Sequence, residues 1–164
     1  MQPQGNTDLP SRELFGTLRG WLALDLPAGR AQPGAVRWVV ATILAIGLSL
    51  AACRLLVIAG VALFPSTAGY GHFQFGDYAK LTIIGVLGAS IAWPVVTFLT
   101  TRGSRLYLWL AIAVTVVGLA PDVWILHQGQ PPAGVAVLVA MHFALAVITY
   151  PVLVFIAPQS RRAK

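Results

Sequence analysis

Four residues with chemistry beyond packing are conspicuous for standing in apolar surroundings: Cys53 and Arg54 in "LAACRLLVIAG", Asp122 in "LAPDVWILH" and His142 in "VLVAMHFALAV". An imidazole titrates near neutral pH, so a histidine inside an apolar segment reads either as a proton relay or as a neutral ring bonded to a carbonyl or a neighbouring hydroxyl. The hydroxyls in reach by sequence are Thr42, Ser49, Ser90 and Thr97. Arg54 carries a permanent charge, and a carboxylate is its natural two-pronged partner. Cys53 has no second thiol anywhere in the chain, which excludes an internal disulfide, a CxxC redox pair and a four-cysteine metal site. It reads as a small apolar filler.

The elements that must position these groups follow from composition. Of 164 residues, 57% are hydrophobic and 10% charged, whereas charged residues make up about a quarter of a soluble domain. Four apolar runs, residues 38–64, 79–101, 106–126 and 133–157, are each long enough to cross a hydrocarbon layer, which takes about 20 residues of helix. They show none of the alternation of a barrel strand, so the expected fold is all-α, an integral membrane four-helix bundle. The eleven Lys and Arg against five Asp and Glu do not read as a nucleic-acid surface, because the charges fall between the apolar runs rather than on one solvated face. Arg12, Arg19, Arg30 and Arg37 precede the first run, Arg102 and Arg105 fill the second link, and Arg161, Arg162 and Lys164 follow the fourth run. Positive charge concentrates in cytoplasmic segments, so both termini are expected in the cytoplasm of a multi-pass protein of the cell membrane.

Residues 1–36 form the expected cytoplasmic tail. They lack the apolar core of a secretory leader, so the amino terminus is expected to be retained. Within the tail, Leu14, Phe15, Leu18, Trp21 and Leu22 share a helical stripe, which fits a helix over 11–25 lying in the headgroup layer. Residues 37–157 form the transmembrane domain and 158–164 a basic tail. The first external loop carries Tyr70, Phe73, Phe75 and Tyr78 among glycines, an aromatic cluster that anchors at the interface or offers a contact surface.

Depth brings two of the charged groups together. Arg54 lies sixteen residues past Trp38 and Asp122 sixteen past Leu106, so with both helices rising from the cytoplasm each is about 24 Å from that edge. The spacing predicts an Arg54–Asp122 pair; the competing expectation is that each reaches the external surface separately. Haem ligation would need a second histidine at the depth of His142, but His72 and His127 fall in external links. Pro94, Pro121 and Pro151 are expected to interrupt the second, third and fourth helices. Small residues in "GVLGAS" and "GVAVLVA" permit close helix contacts.

Over residues 37–157 the chain resembles the actinobacterial four-helix membrane proteins of domain-of-unknown-function family 6069. The residues that carry the resemblance are Arg54 late in the first helix, "LTIIGVLGASIAWPVV" followed by the basic link "TRGSR", Pro121 near the end of the third helix, and the closing "VLVAMHFALAVITYPVL" with its Met141–His142 pair. The resemblance implies a four-helix integral membrane protein and no particular activity. Asp122 and the aromatic loop do not map onto the family pattern.

No nucleophile beside a base, metal cluster or cofactor cradle is legible, so no catalytic, cofactor-binding or metal residues are expected and the chain does not read as an enzyme. The expected partners are the lipid bilayer and other membrane proteins or a second copy of the chain, in an accessory or assembly role with the aromatic loop and the tail as contact surfaces. The alternative is a small proton-coupled transporter acting as an oligomer, with His142 titrating and Arg54 and Asp122 as a gate. About 120 membrane residues are expected to leave little room for a cavity inside one chain.

Overall fold

The computed structural model describes residues 32–160, together with Gly20. The expected tail helix over 11–25 lies outside the described residues except at Gly20, as do Arg161, Arg162 and Lys164. Among the described residues the regular structure is entirely helical. Four stretches are long and apolar enough to cross a membrane: Ala35–Leu63, Phe75–Leu99, Gly103–His127 and Pro132–Ile156. The first is helix α1 and the second α2. The third divides into α3, Gly103–Gly118, and α4, Ala120–His127. The fourth is α5, Pro132–Pro151, which runs into a single π turn, Val152–Ile156.

The three prolines act differently. Pro94 leaves α2 unbroken. It has no N–H to give to the carbonyl one turn earlier, Ser90 O, and that oxygen accepts the indole N–H of Trp38 from α1 at 2.7 Å instead. Pro121 sits in the first turn of α4, just past the break at Leu119, whose N–H is shared between Thr115 O and Val116 O at 3.2 Å each. Pro151 ends the regular part of α5 and the backbone widens into the π turn.

Each spanning helix packs on its neighbours in chain order, and α5 returns to pack along α1; α2 and α5 meet only thinly across the middle. On α1 the buried positions are Ala41, Ala45, Ser49, Cys53, Val57 and Gly60, a stripe of mostly small side chains one helical turn apart. Without a hydrophobic driving force between helices in lipid, such a stripe favours association by letting backbones approach. At Gly60 the approach is so close that a Cβ would stand 2.6 Å from Val137 Cγ2 of α5. On α2 the matching stripe is Tyr78, Thr82, Val86, Ser90, Trp93 and Thr97, and Cys53 Sγ meets Thr82 Oγ1 at 3.7 Å.

The carboxyl end closes the link between α2 and α3. Gln159 donates from Nε2 to Thr97 O at 3.0 Å and Thr100 O at 2.7 Å, and its Oε1 accepts from Gly103 N–H at 3.1 Å. One side chain thus satisfies carbonyls at the end of α2 and an amide at the start of α3. A Cβ at 103 would meet Gln159 Oε1 at 2.9 Å and Thr97 Cγ2 at 3.1 Å, so a side chain there would push the Gln159 amide aside.

Candidate intramembrane binding site

The thin contact between α2 and α5 leaves a cavity of about 650 Å³, lined by α2, α3, α4 and α5. It opens at the side, where Leu81, Ile84 and Val114 of its lining are exposed, so it is a cleft in the wall of the bundle rather than an enclosed interior. Its floor is aromatic. Tyr107 of α3 and Tyr150 of α5 stack with ring centroids 5.8 Å apart and 16° between planes, and Trp93 of α2 packs on Tyr107 at 5.1 Å. The floor is tied to the backbone, because Tyr107 donates to Ala89 O at 3.0 Å and Trp93 Nε1 to Ala157 O at 2.7 Å.

At the other end lies the loop between α1 and α2, built of two short 3-10 turns, Pro65–Thr67 and Gly71–Phe73. Gly69 between them takes a φ of 82°, a conformation in which a side chain would be strained. The loop folds inward. Tyr70 sits edge-on to Phe73 at 5.1 Å and to His72 at 5.3 Å, and lies so tightly over Gly134 of α5 that a Cβ there would be 2.9 Å from its ring. Phe73 and Tyr78 are buried and Tyr70 half-buried; of the four loop aromatics, Phe75 alone is exposed. The cluster therefore packs largely against its own helices, leaving Phe75 to offer an outer contact. Burial, and then the charge of Asp122, push the Tyr70 phenol above its ordinary value.

Asp122 and His142 meet at the side of this cavity. His142 Nδ1 lies 3.0 Å from Asp122 Oδ2 and 3.1 Å from Leu138 O, one turn back on its own helix. The carbonyl and the carboxylate compete for one nitrogen. With its hydrogen on Leu138 O, the ring leaves Asp122 Oδ2 buried with no donor directed at it. The other edge of the imidazole rests on Gly118, where a Cβ would stand 3.1 Å from Cδ2 and 3.4 Å from Nε2. Three features of the third span build this geometry. Gly118 makes room for the ring, the break at Leu119 starts a new helix inside the span, and Asp122 falls in the first turn of that helix, where the partial positive charge of its N-terminus favours a carboxylate.

The Arg54–Asp122 pair predicted from depth is not formed. Asp122 is 5% exposed and faces His142, whereas Arg54 is exposed on the outer side of α1, one residue past the buried Cys53. Successive residues of a helix point about 100° apart, so a level shared along the membrane normal does not place two side chains face to face. The hydroxyls considered for His142 are engaged elsewhere or stand alone: Thr42 bonds Trp38 O, Thr97 bonds Pro94 O, and Ser49 and Ser90 are buried with no partner.

Other polar atoms facing the cavity had no sequence signal beyond being polar residues inside apolar runs. Tyr78 and Thr149 are among the lining residues, and their hydroxyls, like Asp122 Oδ2, are buried with no hydrogen bond within the protein. Such groups are few in native proteins, and a functional role or a bound water or ion is the usual explanation. Among the described residues no three His, Cys, Asp or Glu side chains converge as a metal site would require. Comparisons with family models, with curated proteins and with solved structures found no match to this chain.

Proposed function

We propose that this chain is a non-enzymatic multi-pass protein of the cell membrane, a four-helix bundle with both termini in the cytoplasm, that holds a small amphipathic molecule in its cavity and carries it in step with protons, working as an oligomer. The observation that carries this reading is the Asp122–His142 contact of 3.0 Å at the wall of a largely apolar cavity of about 650 Å³. That volume lies within the roughly 300–1,000 Å³ of sites for small organic ligands, which combine apolar walls with a few placed polar groups. The pair has two electrical states. A protonated imidazole compensates the carboxylate, and a neutral one leaves it for a ligand, so proton gain and ligand loss are linked at one place. The other titratable groups lining the cavity are His72, Asp77, Tyr78, Tyr107 and Tyr150. The concentration of arginines in the tails and the second link supports the orientation.

The test is uptake into reconstituted vesicles under an imposed pH gradient of either sign, using cationic, anionic and neutral fluorescent amphipaths against protein-free vesicles. Gradient-dependent uptake of any of them that His142→Ala abolishes is the expected result. Uptake of none, or uptake indifferent to the gradient, would sink the carrier reading.

Arg54 favours a second reading, an accessory or assembly subunit of a membrane complex. An exposed guanidinium on an apolar helix face is costly in lipid and is relieved by a partner's acidic or carbonyl groups. A stoichiometric membrane partner that co-purifies with the wild type and is lost on Arg54→Ala would support it; recovery of the chain without such a partner would count against it.

A further inference from the structure

Resting on the cavity reading above, the chemistry of the lining narrows what the cavity holds. The chain as a whole is basic, with eleven Lys and Arg against five Asp and Glu. The residues that line the cavity invert this balance: they include two of the five acids, Asp77 and Asp122, and no Lys or Arg. Asp77 is exposed near the loop end, and Asp122 is buried deeper. Of the buried oxygens that make no hydrogen bond, three belong to residues of the lining, Asp122 Oδ2, Tyr78 Oη and Thr149 Oγ1; the first, with His142 Nδ1 at 3.0 Å, only accepts hydrogen bonds once ionised. A carboxylate in apolar surroundings attracts positive charge far more strongly than one in water. Tyr78 near the loop and the stacked Tyr107 and Tyr150 at the floor add aromatic surface to the lining and no charge.

We infer that the cavity is a site for a lipophilic organic cation, whose positive centre lies at Asp122 and whose apolar substituents extend toward the Tyr107–Tyr150 floor. His142 is its competitor: a protonated imidazole occupies the carboxylate's charge, and a bound cation replaces it. No covalent step is involved.

The experiment is equilibrium binding to the full chain in detergent of two ions of one shape and opposite charge, radiolabelled tetraphenylphosphonium and tetraphenylborate. The expected result is saturable phosphonium binding, with the borate weaker by at least about tenfold. Asp122→Asn is expected to weaken the phosphonium by about tenfold while leaving the borate equal or tighter, which also reports that the variant is folded. Competition by dodecyltrimethylammonium identifies a free cation as the occupant, and competition by phosphatidylcholine places the same ammonium chemistry on a lipid headgroup. Equal binding of the two ions, preference for the borate, or phosphonium binding unchanged by Asp122→Asn would overturn the inference. Should Asp122→Asn fail to fold, the ratio of the two ions on the wild type decides alone. A borate preference overturns the cation site and leaves proton-linked carriage standing; phosphonium binding without gradient-driven uptake does the reverse.

Discussion

Asp122 and His142, twenty residues apart and on different helices, place a carboxylate oxygen and an imidazole nitrogen 3.0 Å apart between two stretches apolar enough to cross a membrane. Their coupling is measurable without knowing any ligand. In a thermal-unfolding cycle of Asp122→Asn, His142→Gln and the double variant in detergent, the two single losses are expected to exceed the double by about 1 kcal/mol, the scale of polar contacts between membrane helices. Additive effects would mean that the two groups stand near each other without interacting.

Gly118 separates positioning from stability. A methyl group there presses on the His142 ring edge at 3.1 Å, while alanine is the better helix former, by less at this last residue of α3 than the roughly 1 kcal/mol of a helix interior. Gly118→Ala is therefore expected to hold or raise the unfolding midpoint and to reduce gradient-driven uptake, with a displaced pH profile. A variant with wild-type uptake and profile would show that the ring's position is unimportant.

The α1–α5 seam is tested by repacking. Gly60→Ala drives a Cβ to within 2.6 Å of Val137 Cγ2, and overpacking of this kind costs about 1–3 kcal/mol. Adding Val137→Ala should restore most of the loss, because it removes the obstructing methyl. Failure of the second change to rescue would place the cost in the backbone of α1.

Trp38 and Pro94 form a compensating pair. Trp38→Phe strips Ser90 O of its donor, at an expected cost of about 1–3 kcal/mol for a buried carbonyl left alone. Pro94→Ala returns an N–H one turn downstream, so the indole should matter less in that background. Equal Trp38→Phe losses in both backgrounds, read from unfolding midpoints, would refute the compensation.

The sequence alone determined the elements. An apolar run of membrane length has one way to satisfy its backbone in lipid, so the four spans were legible, with ends a few residues from those observed. Individual polar residues were legible too, because Arg54, Asp122 and His142 are conspicuous where nearly everything else is apolar. Their partners were not. A helix apolar on every side carries no hydrophobic face to say which way it turns, and depth along the axis leaves rotation about it free. Cys53 and Arg54 are neighbours in sequence, yet one is buried in the α1 seam and the other points outward. Only the tertiary structure decided that Asp122 meets His142 rather than Arg54, that the aromatic loop turns inward, and that a cavity opens where α2 and α5 draw apart. Each of these depends on the rotation and separation of packed helices, which small residues such as Gly60 and Gly118 set through steric contacts between elements distant in sequence.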